Sequence, residues 1–135
     1  MGLRVIKSVS SILLICPLSL MGYVEEKETH GEQVERVVRD LQDENEDVRW
    51  NAVEVLRQMG SLDTVTVLME ALKDENEDVR WNAVEALKEI GALDAVPALI
   101  QVLKDQNEDV RWNAVQALEK IGTPEALKVV KGYQS

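Results

Sequence analysis

The sequence predicts an all-α fold, a right-handed alpha-solenoid of about seven helices, and three observations carry that prediction. A block of 31 residues occurs three times in tandem: DENEDVRWNAVEVLRQMGSLDTVTVLMEALK from Asp43, DENEDVRWNAVEALKEIGALDAVPALIQVLK from Asp74, and a looser copy, DQNEDVRWNAVQALEKIGTPEALKVVKGYQS, from Asp105. Self-similarity at that period is the signature of stacked units, none of which buries its apolar face alone. Each block carries two apolar stripes at helical spacing, and a glycine at the same place in every copy (Gly60, Gly91, Gly122) separates them.

The chain before the blocks is of another kind. Arg4 and Lys7 precede Val9 to Met21, an uncharged and mostly apolar run that ends at Gly22. That is the layout of a secretory signal peptide. The run is shorter than the roughly 20 apolar residues a helix needs to cross a bilayer. Residues 1–22 are therefore expected to be a signal peptide or, uncleaved, a membrane anchor, since Leu20 is larger than the usual small residue near a cleavage site. Cys16 follows Ile15, where a lipid-attachment motif carries a small residue, and cleavage near Gly22 would leave a chain without cysteine. A translation start at Met21 is the alternative, and it would make the protein cytoplasmic. Residues 23–30 read as a linker.

Residues 31–42 read as a lone second helix, because Val34, Val37, Val38 and Leu41 share the register of Val65, Leu68, Met69 and Leu72. Repeats 43–73, 74–104 and 105–135 follow. In the first helix of the first repeat, Val48, Ala52, Val55, Leu56 and Met59 form one stripe. Asn45 is its expected N-cap, with Glu46 and Asp47 in the first turn, where the helix dipole favours negative charge. The second helix places Leu62, Val65, Leu68, Met69 and Leu72 on its stripe. In the last copy Thr123, Pro124 and Glu125 form a helix start with proline at the first position. There Lys131 and Gln134 replace Ile100 and Leu103 of the preceding repeat, so the last helix is expected to turn a polar face to water and to complete the array.

The run DVRWNAVEALKEIG followed by LDAVPALIQVLKD resembles HEAT repeats of the phycobilisome-lyase type, and the half-helix opening with the 31-residue period is similar to artificial alpha-helical repeat proteins built from that family. The signature is carried by Val79, Arg80, Ala83, Ala86, Leu87, Ile90 and Gly91, and the resemblance extends from about Gly31 to the end. It implies the fold strongly and the function weakly, because the same repeat serves as a binding scaffold, as bilin-lyase subunits and as a di-iron hydroxylase. The resemblance also implies a structural ladder in which the signature arginine pairs with the acid closing the preceding helix: Arg49 with Asp43, Arg80 with Asp74, Arg111 with Asp105. Such pairs, if exposed, add only about 0.2 to 1 kcal/mol each, so register is the expected benefit.

Catalysis finds little support in the residues. The hydroxylase relatives bind iron through His-Glu pairs on successive repeats, whereas this chain has a single histidine, His30, followed by Gly31. A lone histidine ahead of the first helix also has no oriented partner for a catalytic triad. No catalytic residue, cofactor or metal is therefore assigned. Asp43, Asn45, Asp47, Asn51 and Glu54 occupy EF-hand-like positions, but Val48 stands where that loop needs glycine, and the third copy has Gln116 at the last position. A weak cation site at the acidic turns, in a calcium-binding adhesion module, is the residual reading.

The charge balance bears on partners. With 25 acidic and 15 basic side chains the formal charge is -10, which repels phosphate backbones and argues against nucleic acid. A protein partner with a basic surface suits it better. Two surfaces are candidates. About 100° per residue places Trp50 opposite the apolar stripe of its helix, so Trp50, Trp81 and Trp112 form a ridge that either covers the neighbouring repeat or offers an aromatic strip. The second helices, which form the concave face in such arrays, differ between copies at Thr66, Pro97 and Lys128, at Val67, Ala98 and Val129, and at Glu70 and Gln101. Arg36 and Arg39 extend that face toward the N-terminus. The resulting expectation is a non-enzymatic scaffold binding a protein on its concave face, exported or held at the membrane by its N-terminal segment. The alternative is an enzyme-associated role by family kinship.

Overall fold

The computed structural model describes residues 26–135, and the N-terminal segment read as a signal or anchor lies outside them. Seven α-helices are described: α1 (His30–Asp40), α2 (Glu46–Met59), α3 (Val65–Ala71), α4 (Glu77–Ile90), α5 (Val96–Val102), α6 (Glu108–Ile121) and α7 (Pro124–Gln134). Single 3-10 turns at Leu62–Thr64 and Leu93–Ala95 lead into α3 and α5, and no strand occurs among the described residues.

Local chemistry sets the helix ends. The side chains of Asn45, Asn76 and Asn107 accept hydrogen bonds from backbone N–H groups of the first turns of α2, α4 and α6, as their position before each acidic pair predicts. Gly60, Gly91 and Gly122 end the same helices at φ 58°, 69° and 68°, a left-handed conformation that costs an L-residue about 1–2 kcal/mol. Thr123 caps α7, with Pro124 in its first turn. One boundary moves: α1 begins at His30, inside the expected linker. Thr29 accepts from Glu32 N–H while the Glu32 carboxylate accepts from Thr29 N–H, a reciprocal capping box that draws His30 into the first turn.

The helices form two layers. The first helices α2, α4 and α6 pack side by side, and three second helices rest mainly on the first helix of the following repeat, α1 on α2, α3 on α4 and α5 on α6, while the last, α7, rests on α6 of its own repeat. This explains how a chain can open on a lone second helix, since α1 already has its principal partner in α2. Between the layers lies one continuous core, with Val53, Leu56, Leu68, Val84, Leu87, Leu99, Val115 and Leu118 all but sealed from solvent. Each such side chain contributes roughly 1.5–3 kcal/mol when fully buried.

Two sequence expectations about the core are corrected. Leu62, placed on the apolar stripe, is 71% exposed, and its equivalent Leu93 is 63% exposed. The 3-10 turn advances by three residues per turn, so the phase counted back from α3 fails at residue 62. Thr64 and Ala95 point inward instead, and the Thr64 hydroxyl donates to the Ser61 carbonyl at 2.6 Å. Val48 and Val55 are only half-buried, whereas their counterparts Val79, Val110, Ala86 and Ala117 are sealed, because no described repeat covers α2 on its outer side. At the other end Leu127 is 47% exposed where Val96 is 2% exposed, and Lys131 and Gln134 face solvent.

Candidate interaction surfaces

Between the first helices runs a ladder of buried arginines, and its rungs differ from the expected ones. Arg49 donates through Nε and Nη2 to the Asp74 carboxylate at 2.9 and 3.2 Å, and Arg80 to the Asp105 carboxylate at 2.8 and 2.9 Å. The pairing thus runs forward to the next repeat, not back to Asp43 and Asp74. The backward contact is to main chain: Nη1 of Arg49 donates to the carbonyls of Asp43 and Glu44, and Nη1 of Arg80 to those of Asp74 and Glu75. Each guanidinium therefore ties together the backbone leaving one second helix and the carboxylate at the end of the next. The Asp43 carboxylate accepts the Asn45 N–H at 2.8 Å. Arg111 keeps its bond to the Asp105 carbonyl but has no carboxylate partner among the described residues.

Nor are these rungs exposed. The side chains of Arg49 and Asp74 are 6% and 10% accessible, and those of Arg80 and Asp105 are 6% and 9%. The Asp74 hydrogen bond holds the Arg49 guanidinium above its ordinary pKa although burial acts in the opposite direction. At this depth desolvation offsets much of the attraction, so the ladder's gain lies in fixed register, while loss of one partner is expensive.

A second set of bridges was not foreseen. The Asn82 amide donates to the Trp50 carbonyl at 3.3 Å, and Asn113 repeats this with Trp81 at 3.1 Å. Asn51, the equivalent residue of the first repeat, is exposed for want of a preceding helix. An asparagine retained directly after each Trp, in the middle of a helix where it is a poor former, was the available signal. Lys88 ties Glu85 at 2.6 Å and Asn113 at 3.1 Å, and Arg57 ties Glu54 at 2.9 Å and Glu89 at 3.5 Å.

On the second-helix surface Thr66, Glu70, Pro97, Gln101 and Lys128 are exposed, and Val67, Ala98 and Val129 are half-buried against the core. The structure thus sets the copy-to-copy differences at equivalent places on successive helices, five at the surface and three leaning on the core. Glu70 forms an exposed pair with Lys73 at 3.3 Å. Arg36 is engaged by Glu28 at 3.1 Å and by Asp40 at 3.8 Å, and the Glu28 hydrogen bond raises its pKa further. Arg39 is exposed on the same helix. On the opposite layer Trp50, Trp81 and Trp112 are 38%, 40% and 59% exposed, so each ring is covered only in part by its neighbours.

The acidic turns are engaged in capping. Asp43, Asp74 and Asp105 accept the N–H of Asn45, Asn76 and Asn107, which in turn accept from the helix starts. Among the described residues no three His, Cys, Asp or Glu side chains meet in a metal-binding cluster. His30 is exposed in the first turn of α1. No described helix is long and apolar enough to cross a membrane.

Comparison with known proteins agrees with this architecture. The family model of HEAT repeats matches residues 21–78, 34–93 and 65–133. A solved complex of CpcE and CpcF of phycocyanin lyase from Nostoc sp. PCC7120 contains a similar chain, with 29% identity and a TM-score of 0.64 over 79% of this chain and 44% of that one. An engineered protein shares the fold at 22% identity and a TM-score of 0.54, over 75% of this chain and 51% of that one. The chain therefore spans about half the length of either. No curated protein matches it. With repeats matched over most of its length and a solenoid of stacked helical pairs to carry them, the chain belongs to the HEAT-repeat family.

Proposed function

We propose that this protein is a non-catalytic scaffold that binds a protein partner on the surface of its second helices, the concave side of such arrays. One observation carries the reading: the copies repeat their caps and ladder arginines, while the second helices differ at exposed positions, at Thr66, Pro97 and Lys128 and at Glu70 and Gln101; the first helices differ at the surface chiefly at Gln58, Glu89 and Lys120. A repeated framework that carries variable exposed residues on a rigid surface is how an array acquires a specific partner. The formal charge of -10 favours a basic surface on that partner. The similar lyase chain is described in complex with a second protein, which supports association as the mode of action. Export through the N-terminal segment completes the proposal.

The test is capture of partners by the full chain from its source, beside the variant carrying Thr66→Arg, Glu70→Lys and Gln101→Glu. The scaffold reading expects a stoichiometric partner that the variant loses while its helical content is unchanged. A partner retained undiminished by the variant would remove the second-helix surface from consideration. The likeness to the lyase chain favours one other reading, a subunit of a bilin-attaching enzyme. A captured partner that transfers a bilin only in the presence of this chain would establish it, and stoichiometric iron in the purified protein would overturn the non-catalytic assignment.

A further inference from the structure

The first-helix layer holds a recess that the scaffold reading leaves unused. Trp50 and Trp81 flank a depression of about 290 Å³, completed by Glu46, Asp47, Asn76 and Asp78. We propose that this recess seats arginine or lysine side chains of a basic peptide segment, held between tryptophan faces and carboxylates. Three features of the site support that occupant. The first is charge: three carboxylates line the recess, none of them ion-paired to a described residue, and no cation lines it. The nearby guanidiniums of Arg49 and Arg80 are engaged in buried pairs with Asp74 and Asp105, and Arg49 also attracts Glu46, so the uncompensated charge rests mainly on Asp47 and Asp78.

Helix capping explains part of this arrangement, since acids in a first turn offset the roughly half positive charge of each helix N-terminus. Two helix ends offset only about one of the three negative charges, and the surplus remains in the recess. Capping also gives no reason for two indoles to flank the same depression, each more than a third exposed at 38% and 40%. A cation over an indole face beside a carboxylate satisfies both, through the ring quadrupole and the ionic attraction.

The third feature is preorganisation. The Trp50 and Trp81 carbonyls are held by Asn82 and Asn113, so the two residues sit at a spacing fixed by helix packing, typically 8–10 Å between axes. The residue types recur around Trp81 and Trp112 one repeat further on. Successive residues on one side of an extended strand lie about 7 Å apart, so an extended segment with basic residues at alternate positions fits the ridge. This surface lies on the first helices and is independent of the second-helix reading, so either can fail without the other.

The experiment titrates the full chain with acetylated, amidated tetra-arginine at about 0.15 M salt, where long-range attraction is largely screened, following tryptophan fluorescence and heat. Saturable binding is expected. Replacing both Trp50 and Trp81 by alanine should weaken it on the order of tenfold, and Asp47→Asn with Asp78→Asn should do the same. The matched control, Asp63→Asn with Glu125→Gln, removes as much charge elsewhere and should leave affinity unchanged. Circular dichroism of each variant verifies the fold, and Trp50→Phe with Trp81→Phe should retain most of the binding should the alanine pair misfold. Equal losses from the control pair would reduce the effect to general attraction of polycations and overturn the proposal. So would binding unaffected by loss of the indoles, or displacement of the peptide by an equal concentration of tetramethylammonium, which would assign the recess to a small quaternary ammonium.

Discussion

At the scale of single residues, the decisive contact is the forward pairing of each buried arginine. Arg49 has two equivalent repeat-start aspartates to choose from, Asp43 six residues before it and Asp74 twenty-five residues after it, and only stacking of the repeats determines which carboxylate it meets. The two predict different variants. Asp74→Ala leaves a guanidinium that is 6% accessible with a single contact to the 85% exposed Glu75 as its carboxylate partner, and should cost about 3–5 kcal/mol. Asp43→Ala removes a capping acceptor and leaves the carbonyl contact to Arg49 in place, at about 1 kcal/mol. Urea unfolding of the two variants measures the difference, and equal losses would restore the backward register. Glu54 makes the corresponding pH prediction. The Arg57 hydrogen bond holds its carboxyl below the ordinary 4.5, aided by Gln58 and opposed by burial. A carboxylate lowered in the folded state adds stability that is fully present above 4.5 and is lost as the pH falls through the folded value. The stability gap between the parent and Glu54→Gln should thus be constant near neutrality and narrow as the pH falls below 4.5 in urea unfolding at stepped pH.

At the scale of elements, what could be read in advance was what short stretches of chain decide for themselves. The asparagine N-caps, the left-handed glycines and the Thr123-Pro124 start depend on neighbours within a few residues, and all appear as expected. The entry to α3 differs from its sequence pattern, because an apolar residue three places before Val65 fits a helical stripe and also fits a 3-10 turn that aims it at solvent, and α5 repeats this. Asn82 and Asn113 are harder to read for a related reason: their recurrence in mid-helix signals a special role, but their hydrogen bonds span 32 residues, so the partner is set only by stacking. The candidate surfaces were legible as lists of exposed positions, while the recess between Trp50 and Trp81 exists only once α2 and α4 lie side by side. The second-helix entry offers a direct test. Leu62, 71% exposed, should tolerate serine within about 0.5 kcal/mol, whereas Leu68→Ala at a fully sealed site should cost about 2–5 kcal/mol. Thermal melts that show similar losses for both would return Leu62 to the core.

At the scale of the whole molecule, stability is carried by interfaces between like units, and the contacts that cross them recur at the repeat spacing. Arg49 to Asp74 is repeated by Arg80 to Asp105, and Asn82 to Trp50 by Asn113 to Trp81. Removal of residues 74–104 would join Lys73 to Asp105 and bring Asp105 to the place Asp74 holds before Arg49, with Asn113 in the place of Asn82. The ladder and the asparagine bridge would both re-form. Two bridges would not: Arg57, paired with Glu89 in the intact array, would face Lys120, and Arg49, paired with Glu75, would meet Gln106, exposed changes of roughly 0.2 to 1 kcal/mol each. A solenoid whose units interact only with their neighbours should therefore survive the deletion. The shortened chain is expected to unfold in a single transition, at a lower urea midpoint and with a smaller slope in proportion to the surface lost, while ellipticity per residue is retained. Duplication of the same 31 residues should raise the midpoint by the mirror argument. Loss of the cooperative transition on deletion would mean that the ends stabilise each other through the central repeat as a unit, and that a sum over neighbouring interfaces does not describe this array.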